Sequence, residues 1–257
     1  MMFFKNYKLH FKIFLFFIFF LLIEGFFYYY SYKLSYFFDF FDPRVSGYNP
    51  IIWNENGLIE NIQVLFLLFT IIIYFKTIKL LNYKILPKLF KFAIYIYLLC
   101  ICYYFFEEIS WGQHIFKWES GNFFIIYNNQ EETNFHNISN LFDQLPRSLL
   151  TIWCCFSFLI FRYLKNTSIN TNYLNLIFPK KDLIYISMFI ILFFLPDFII
   201  DKLSLHPGYR NYSANINISE VLDFLSFRYI KLSELHEFLF CIYLFYHSLF
   251  FKKIYSS

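Results

Sequence analysis

Phe14-Leu15-Phe16-Phe17-Ile18-Phe19-Phe20 places seven large apolar side chains in a row, with no charge, no alternation and no turn residue among them. A helix or strand built from this run has no polar face, so it needs a solvent that is itself apolar. The run sits inside a longer stretch, Ile13–Tyr30, close to the roughly 20 residues a helix needs to cross a hydrocarbon core. Five more stretches repeat the pattern, some with polar interruptions: Leu58–Phe75, Phe90–Phe106, Leu149–Tyr163, Leu183–Ile200 and Leu235–Phe251. The fourth is short and Pro196 interrupts the fifth, which leaves five spans as the alternative. The expected fold class is all-α: a polytopic membrane helix bundle of about six transmembrane helices, forming one integral membrane domain over residues 1–257.

Composition points the same way. Of 257 residues, 59% are hydrophobic, 26% aromatic and 16% charged, against roughly 25% charged in a soluble domain. The 41 Phe side chains exceed what one soluble core of this size would hide, because much of such a domain stays at its surface. The wealth of Phe, Ile, Tyr, Asn and Lys fits an AT-rich genome and carries no functional signal. Cys100, Cys102, Cys154, Cys155 and Cys241 all fall inside apolar runs and read as small buried side chains, not as a disulfide framework. The first apolar stretch lacks a small-residue cleavage site and is read as an uncleaved signal anchor. Basic residues are scattered over short loops, so no nucleic-acid partner is expected; the lipid bilayer is.

Charge placement sets an orientation. With the N-terminus inside, fourteen of the 22 Lys and Arg fall on the inner side, as the positive-inside rule requires. Both termini are then cytoplasmic. Of 18 Asp and Glu, only Asp182 lies in an inner segment. Glu24, Glu60, Glu107, Glu108, Asp197, Glu234 and Glu237 sit in or beside the outward portions of their spans. A carboxylate within a span costs several kcal/mol unless it meets a partner or a wet cavity. One shared polar cavity near the outer leaflet accounts for this set, and solvation at the interface is the plainer alternative.

Three stretches carry the candidate chemistry. In Glu107-Glu108-Ile109-Ser110-Trp111-Gly112-Gln113-His114-Ile115-Phe116, a continuing helix would align Glu107, Ser110, Trp111 and His114 on one face. The second is Asn128-Asn129-Gln130-Glu131-Glu132-Thr133-Asn134-Phe135-His136-Asn137. It leads into a short amphipathic helix near residues 134–145, with Ile138, Leu141, Phe142 and Leu145 on one side and Pro146 before the fourth span. The third is Ser233-Glu234-Leu235-His236-Glu237, with its two carboxylates at i, i+3.

The first two stretches resemble the motifs E-E-x-S-W-G-Q-R-I and N-x-Q-x-E-x-N-x-H-N of a family of uncharacterised, mostly bacterial multi-pass membrane proteins. Glu55–Glu60 and Glu234–Glu237 resemble two further elements of that family, so the likeness runs from about residue 55 to 240. His114 stands where the family pattern has Arg, and His236 is a departure of this chain. The resemblance fits a bacterial inner-membrane location and brings no reaction with it, while the charge-based orientation puts the motifs outside the cytoplasm.

Three functions compete. A membrane enzyme acting on a lipid or lipid-linked substrate would use Glu108, His136, Glu237 and Ser110 as catalytic residues. Glu107, Glu108, Glu132, His136, Glu234 and Glu237 would then hold a divalent metal ion that activates water or polarises an oxygen. That oxygen-rich set favours Mg²⁺, Mn²⁺ or Ca²⁺, and joint use of His114 would favour Zn²⁺. Glu60, Gln113, Asn128, Gln130, Asn134 and Asn137 would complete the polar site. A noncatalytic membrane factor, with the motifs pinning loops or docking a partner, is the alternative. An ion-coupled transporter is the third reading, and the absence of a matching polar site on the inner half counts against it. Geometry separates the first two: a shared cavity favours the enzyme, and carboxylates already satisfied by protein groups favour the factor.

Overall fold

The computed structural model describes residues 57–81, 87–128, 132–135, 138–167, 169, 171–178, 183–202 and 231–256, together with Phe11, Leu15, Ile18, Phe19, Leu22 and Phe26. Every element among them is helical. In chain order these are α1 (Leu58–Leu81), α2 (Lys88–Glu108), a 3₁₀ turn (Ser110–Gly112), α3 (Gln113–Phe116) and α4 (Asn122–Tyr127), followed by α5 (Asn140–Leu164), α6 (Thr171–Ile177), α7 (Ile184–Lys202) and α8 (Leu232–Ser256).

Three of these helices are long and apolar enough to cross a membrane: Leu58–Lys79, Lys88–Glu108 and Leu145–Leu164. At 1.5 Å per residue each spans about 30 Å, the thickness of the hydrocarbon core. The expected first span falls almost wholly outside the described residues. The fifth contributes a shorter apolar helix, Ile184–Leu195. Exposed Leu65, Phe69, Ile72 and Phe75 on α1, and Leu89, Phe92, Ile96 and Leu99 on α2, recur every three or four residues and form stripes that suit lipid. Polar groups inside these helices are satisfied locally. Thr70 and Thr77 donate to the carbonyls of Phe66 and Ile73, each at 2.7 Å, as an apolar solvent demands.

The chain clusters into two compact units, residues 1–60 with 189–236 and residues 61–188 with 237–257. In the second unit, α8 occupies the centre. Phe66 of α1 meets Phe238 and Phe245 edge-on at 5.9 and 5.2 Å, and Tyr74 meets Phe251 at 4.9 Å. Ser157 of α5 meets the Tyr243 hydroxyl at 3.2 Å. The α7 residue Ser187 donates to the Cys154 carbonyl at 2.6 Å. Phe238, Phe240, Tyr243, Leu244 and Phe251 are consequently buried. The most protein-enclosed helix is therefore also a polar-studded one, since side chains that face other helices need not be lipid-soluble.

Two expectations fail locally. The helix does not continue past Glu108: Ser110, Trp111 and Gly112 take φ of 45°, 55° and 99°, and the chain turns away. The predicted shared helical face of Glu107, Ser110, Trp111 and His114 therefore does not exist. The amphipathic segment near 134–145 is not a separate helix either. Asn140 to Leu164 form one 25-residue helix with Pro146 inside it, at the cost of one backbone hydrogen bond early in the helix. Leu141, Phe142 and Leu145 on this first part are exposed.

Candidate polar site

The α2 terminus and the loop that follows form a hydrogen-bonded clasp. Glu107, in the last turn of α2, is only 4% exposed. Its Oε1 accepts the Trp111 indole N–H at 2.7 Å and its Oε2 accepts the Phe135 backbone N–H at 2.8 Å. The left-handed backbone at Ser110 and Trp111 is what bends the indole back over the preceding helical turn. Positive φ at two successive non-glycine residues is costly, and this carboxylate offsets that cost. Gly112 follows with φ 99°, where a Cβ would lie 3.1 Å from Trp118 and 3.2 Å from Phe116. Glycine alone fits there without strain.

Beside it, Glu132 Oε2 accepts the Ser110 hydroxyl at 2.7 Å and the Asn134 amide at 2.8 Å. The Asn134 amide also reaches the Ser110 oxygen at 3.1 Å. The Asn128 amide spans the loop, donating to the Glu132 carbonyl at 2.7 Å and to the Asn134 side-chain oxygen at 2.8 Å. Gln113 Oε1 accepts the Thr133 backbone N–H at 2.6 Å and the Ser120 hydroxyl at 3.1 Å. Ser110, Asn128 and Asn134 are buried. The N–H groups of Thr133 and Phe135 and the carbonyls of Glu132 and Asn134 thus find side-chain partners, as loop backbone shielded from water requires. The aromatic surface points the other way: Phe116, Trp118, Phe123, Ile126 and Tyr127 are exposed.

Other candidates make pairs of their own. Glu237 of α8 is paired with Arg147 of α5, both partly shielded. Close by, Cys241 Sγ lies 3.8 Å from the Tyr104 hydroxyl. Glu234, in the first unit, pairs with Lys231 at 2.8 Å, and Glu60 opens α1 in that same unit. His136, Gln130 and Asn137 lie outside the described residues. Among the described residues, no three His, Cys, Asp or Glu side chains gather as a metal-holding group. The structure thus brings together Glu107, Ser110, Gln113, Asn128, Glu132 and Asn134, with Asn128 donating and the side-chain oxygens of the other five accepting from N–H and O–H donors.

Sequence reasoning passed over two features. Arg147 was not singled out, and it pairs with Glu237 of α8. His247 was not singled out. It is buried among Tyr74, whose hydroxyl bonds its Nδ1 at 2.5 Å, and the Ile177 carbonyl, 3.2 Å from its Nε2. An ionisable side chain inside an apolar helix is itself a signal. Searches for related proteins return nothing: no family profile matches the chain, nor does any curated protein or solved structure.

Proposed function

We propose that this chain is a noncatalytic integral membrane factor whose polar motifs fasten residues 107–128 to residues 132–135 as a cap that docks a partner protein. The supporting observation is the direction of the carboxylates. Glu107 and Glu132 are spent on Trp111, Phe135, Ser110 and Asn134, while the cap's outer surface is aromatic and apolar. A catalytic or metal-binding carboxylate must offer an oxygen to substrate or ion, and these two face inward to protein donors. Aromatic side chains at a rigid surface are what interface anchors consist of. The resemblance to multi-pass bacterial proteins belongs to this proposal, as does the placement of the cap outside the cytoplasm. The α2 terminus then lies at the headgroup layer, where Trp111 and Trp118 are at home.

The test is site-specific photocrosslinking in intact membranes, with a benzophenone side chain at Phe116 or Ile126 in the cap and at Leu99 on the lipid face of α2. A discrete polypeptide adduct is expected from the two cap positions only, and it should vanish when Glu107→Ala loosens the cap. Lipid adducts alone at every position would overturn docking. A stoichiometric divalent metal in the purified protein, lost on Glu132→Ala, would return the reading to a metalloenzyme.

A further inference from the structure

The His247 node lies at the junction of five elements in the second unit. Tyr74 comes from α1, Tyr97 from α2, Trp153 from α5, the Ile177 carbonyl from the end of α6 and His247 from α8. The rings are in contact: Tyr74–Tyr97 centroids lie 5.6 Å apart, Tyr97–His247 5.2 Å and Tyr97–Trp153 6.2 Å. A carbonyl can only accept, so the His247–Ile177 contact places the imidazole hydrogen on Nε2. Nδ1 is then the acceptor, and the Tyr74 hydroxyl must donate to it. Ile177 ends α6, so its carbonyl is one of those a helix terminus leaves without an intrahelical partner, and His247 supplies one donor. That oxygen has a second lone pair.

Against this polarised chain lies a small cavity of about 10 Å³, lined by Tyr74, Ala93, Ile94, Tyr97 and Ile177. The buried Tyr97 hydroxyl and Trp153 Nε1 have no partner within hydrogen-bond distance among the described residues, although Trp153 and Tyr74 are polar neighbours of Tyr97. An orphaned hydroxyl in an apolar medium costs about 1–3 kcal/mol, and a volume of this order holds one water when polar partners line it. Tyr74, Tyr97 and Ile177, which carry the polar groups of this node, lie in its wall.

We propose that this cavity is a binding site for a single ordered water, which accepts the Tyr97 O–H and donates to the Ile177 carbonyl or the Tyr74 oxygen. The water ties α2 to the α1–α6–α8 node. It completes an unbroken run of hydrogen bonds from Tyr97 to His247, each donor facing an acceptor. The site is too small for any ligand with a second heavy atom, and it is independent of the cap and of whether the cap docks anything.

The experiment is proton-detected solid-state NMR of the full chain, labelled with ¹⁵N-histidine in lipid nanodiscs. The His247 resonance is identified by its loss in His247→Phe. A dipolar cross-peak between a slowly exchanging water and the His247 Nε2 proton is expected in the unaltered protein. It should be lost in Ala93→Val, which fills the cavity with methyl groups, while the His247 resonance itself persists and so reports an intact fold. Tyr97→Phe should remove the same cross-peak by deleting the donor. Its absence from the unaltered protein, or its survival in both variants, would overturn the site.

Discussion

Glu107→Ala is the sharpest probe of the clasp. Glu107 is almost wholly buried and receives two donors, the Trp111 indole and the Phe135 backbone amide, at 2.7 and 2.8 Å. Truncation strands both. At about 1–3 kcal/mol for each buried donor left unsatisfied, with partial access of water to a loop, the local loss comes to about 2–4 kcal/mol. Since about 1.4 kcal/mol is a factor of ten, amide exchange in residues 122–135 should accelerate roughly 30- to 900-fold. Hydrogen–deuterium exchange by mass spectrometry in detergent or nanodiscs reads this directly. Glu107→Gln keeps one acceptor oxygen and should fall between the two. Glu119→Ala, at an exposed position, should leave exchange unchanged. If Glu107→Ala exchanges like the unaltered protein over 122–135, the carboxylate does not hold the cap and the reasoning fails.

Other perturbations test other joints. Gly112→Ala places a Cβ 3.1 Å from Trp118 at φ 99°; a loss of about 1–2 kcal/mol is expected, visible as a lower midpoint in thermal unfolding followed by tryptophan fluorescence. Arg147→Met should destabilise by about 2 kcal/mol, less than a fully buried pair would show because both partners keep some exposure. Combining it with Glu237→Leu should recover most of that loss in a denaturant double-mutant cycle. Tyr74→Phe leaves His247 Nδ1 without its donor and should cost about 1–3 kcal/mol, whereas Tyr127→Phe, on the exposed face of α4, should be silent in the same assay.

Much of the helical architecture is legible in the sequence, because a span declares itself by length and by the absence of charge. Leu58–Phe75, Phe90–Phe106 and Leu149–Tyr163 all emerge inside observed helices. The first span falls largely outside the described residues, and α8 shows why a hydropathy pattern blurs for an inner helix. Its neighbours are protein, so His247 and Ser248 cost it little. Site membership was partly legible as well: Glu107, Ser110, Gln113, Asn128, Glu132 and Asn134 were named and do meet. Their bonding was not. Periodicity placed Glu107 and Trp111 on one helical face, and they meet through a reversal instead, because a left-handed turn leaves no periodic trace beyond Gly112 itself. Nor can spacing along a chain tell a carboxylate aimed at a cavity from one turned onto the backbone of its own loop.

The bond from Glu107 to the Phe135 amide joins residues 28 positions apart, across a connection that runs from α2 to the start of α5. Ring closure of that length forms late, since the entropy of the intervening chain opposes it until both ends are fixed. During biosynthesis both ends are fixed only once α2 and α5 have each entered the bilayer. Assembly of the cap therefore waits on completed insertion of two helices, and a newly made chain with either one misplaced would expose a ragged, protease-sensitive loop to quality control.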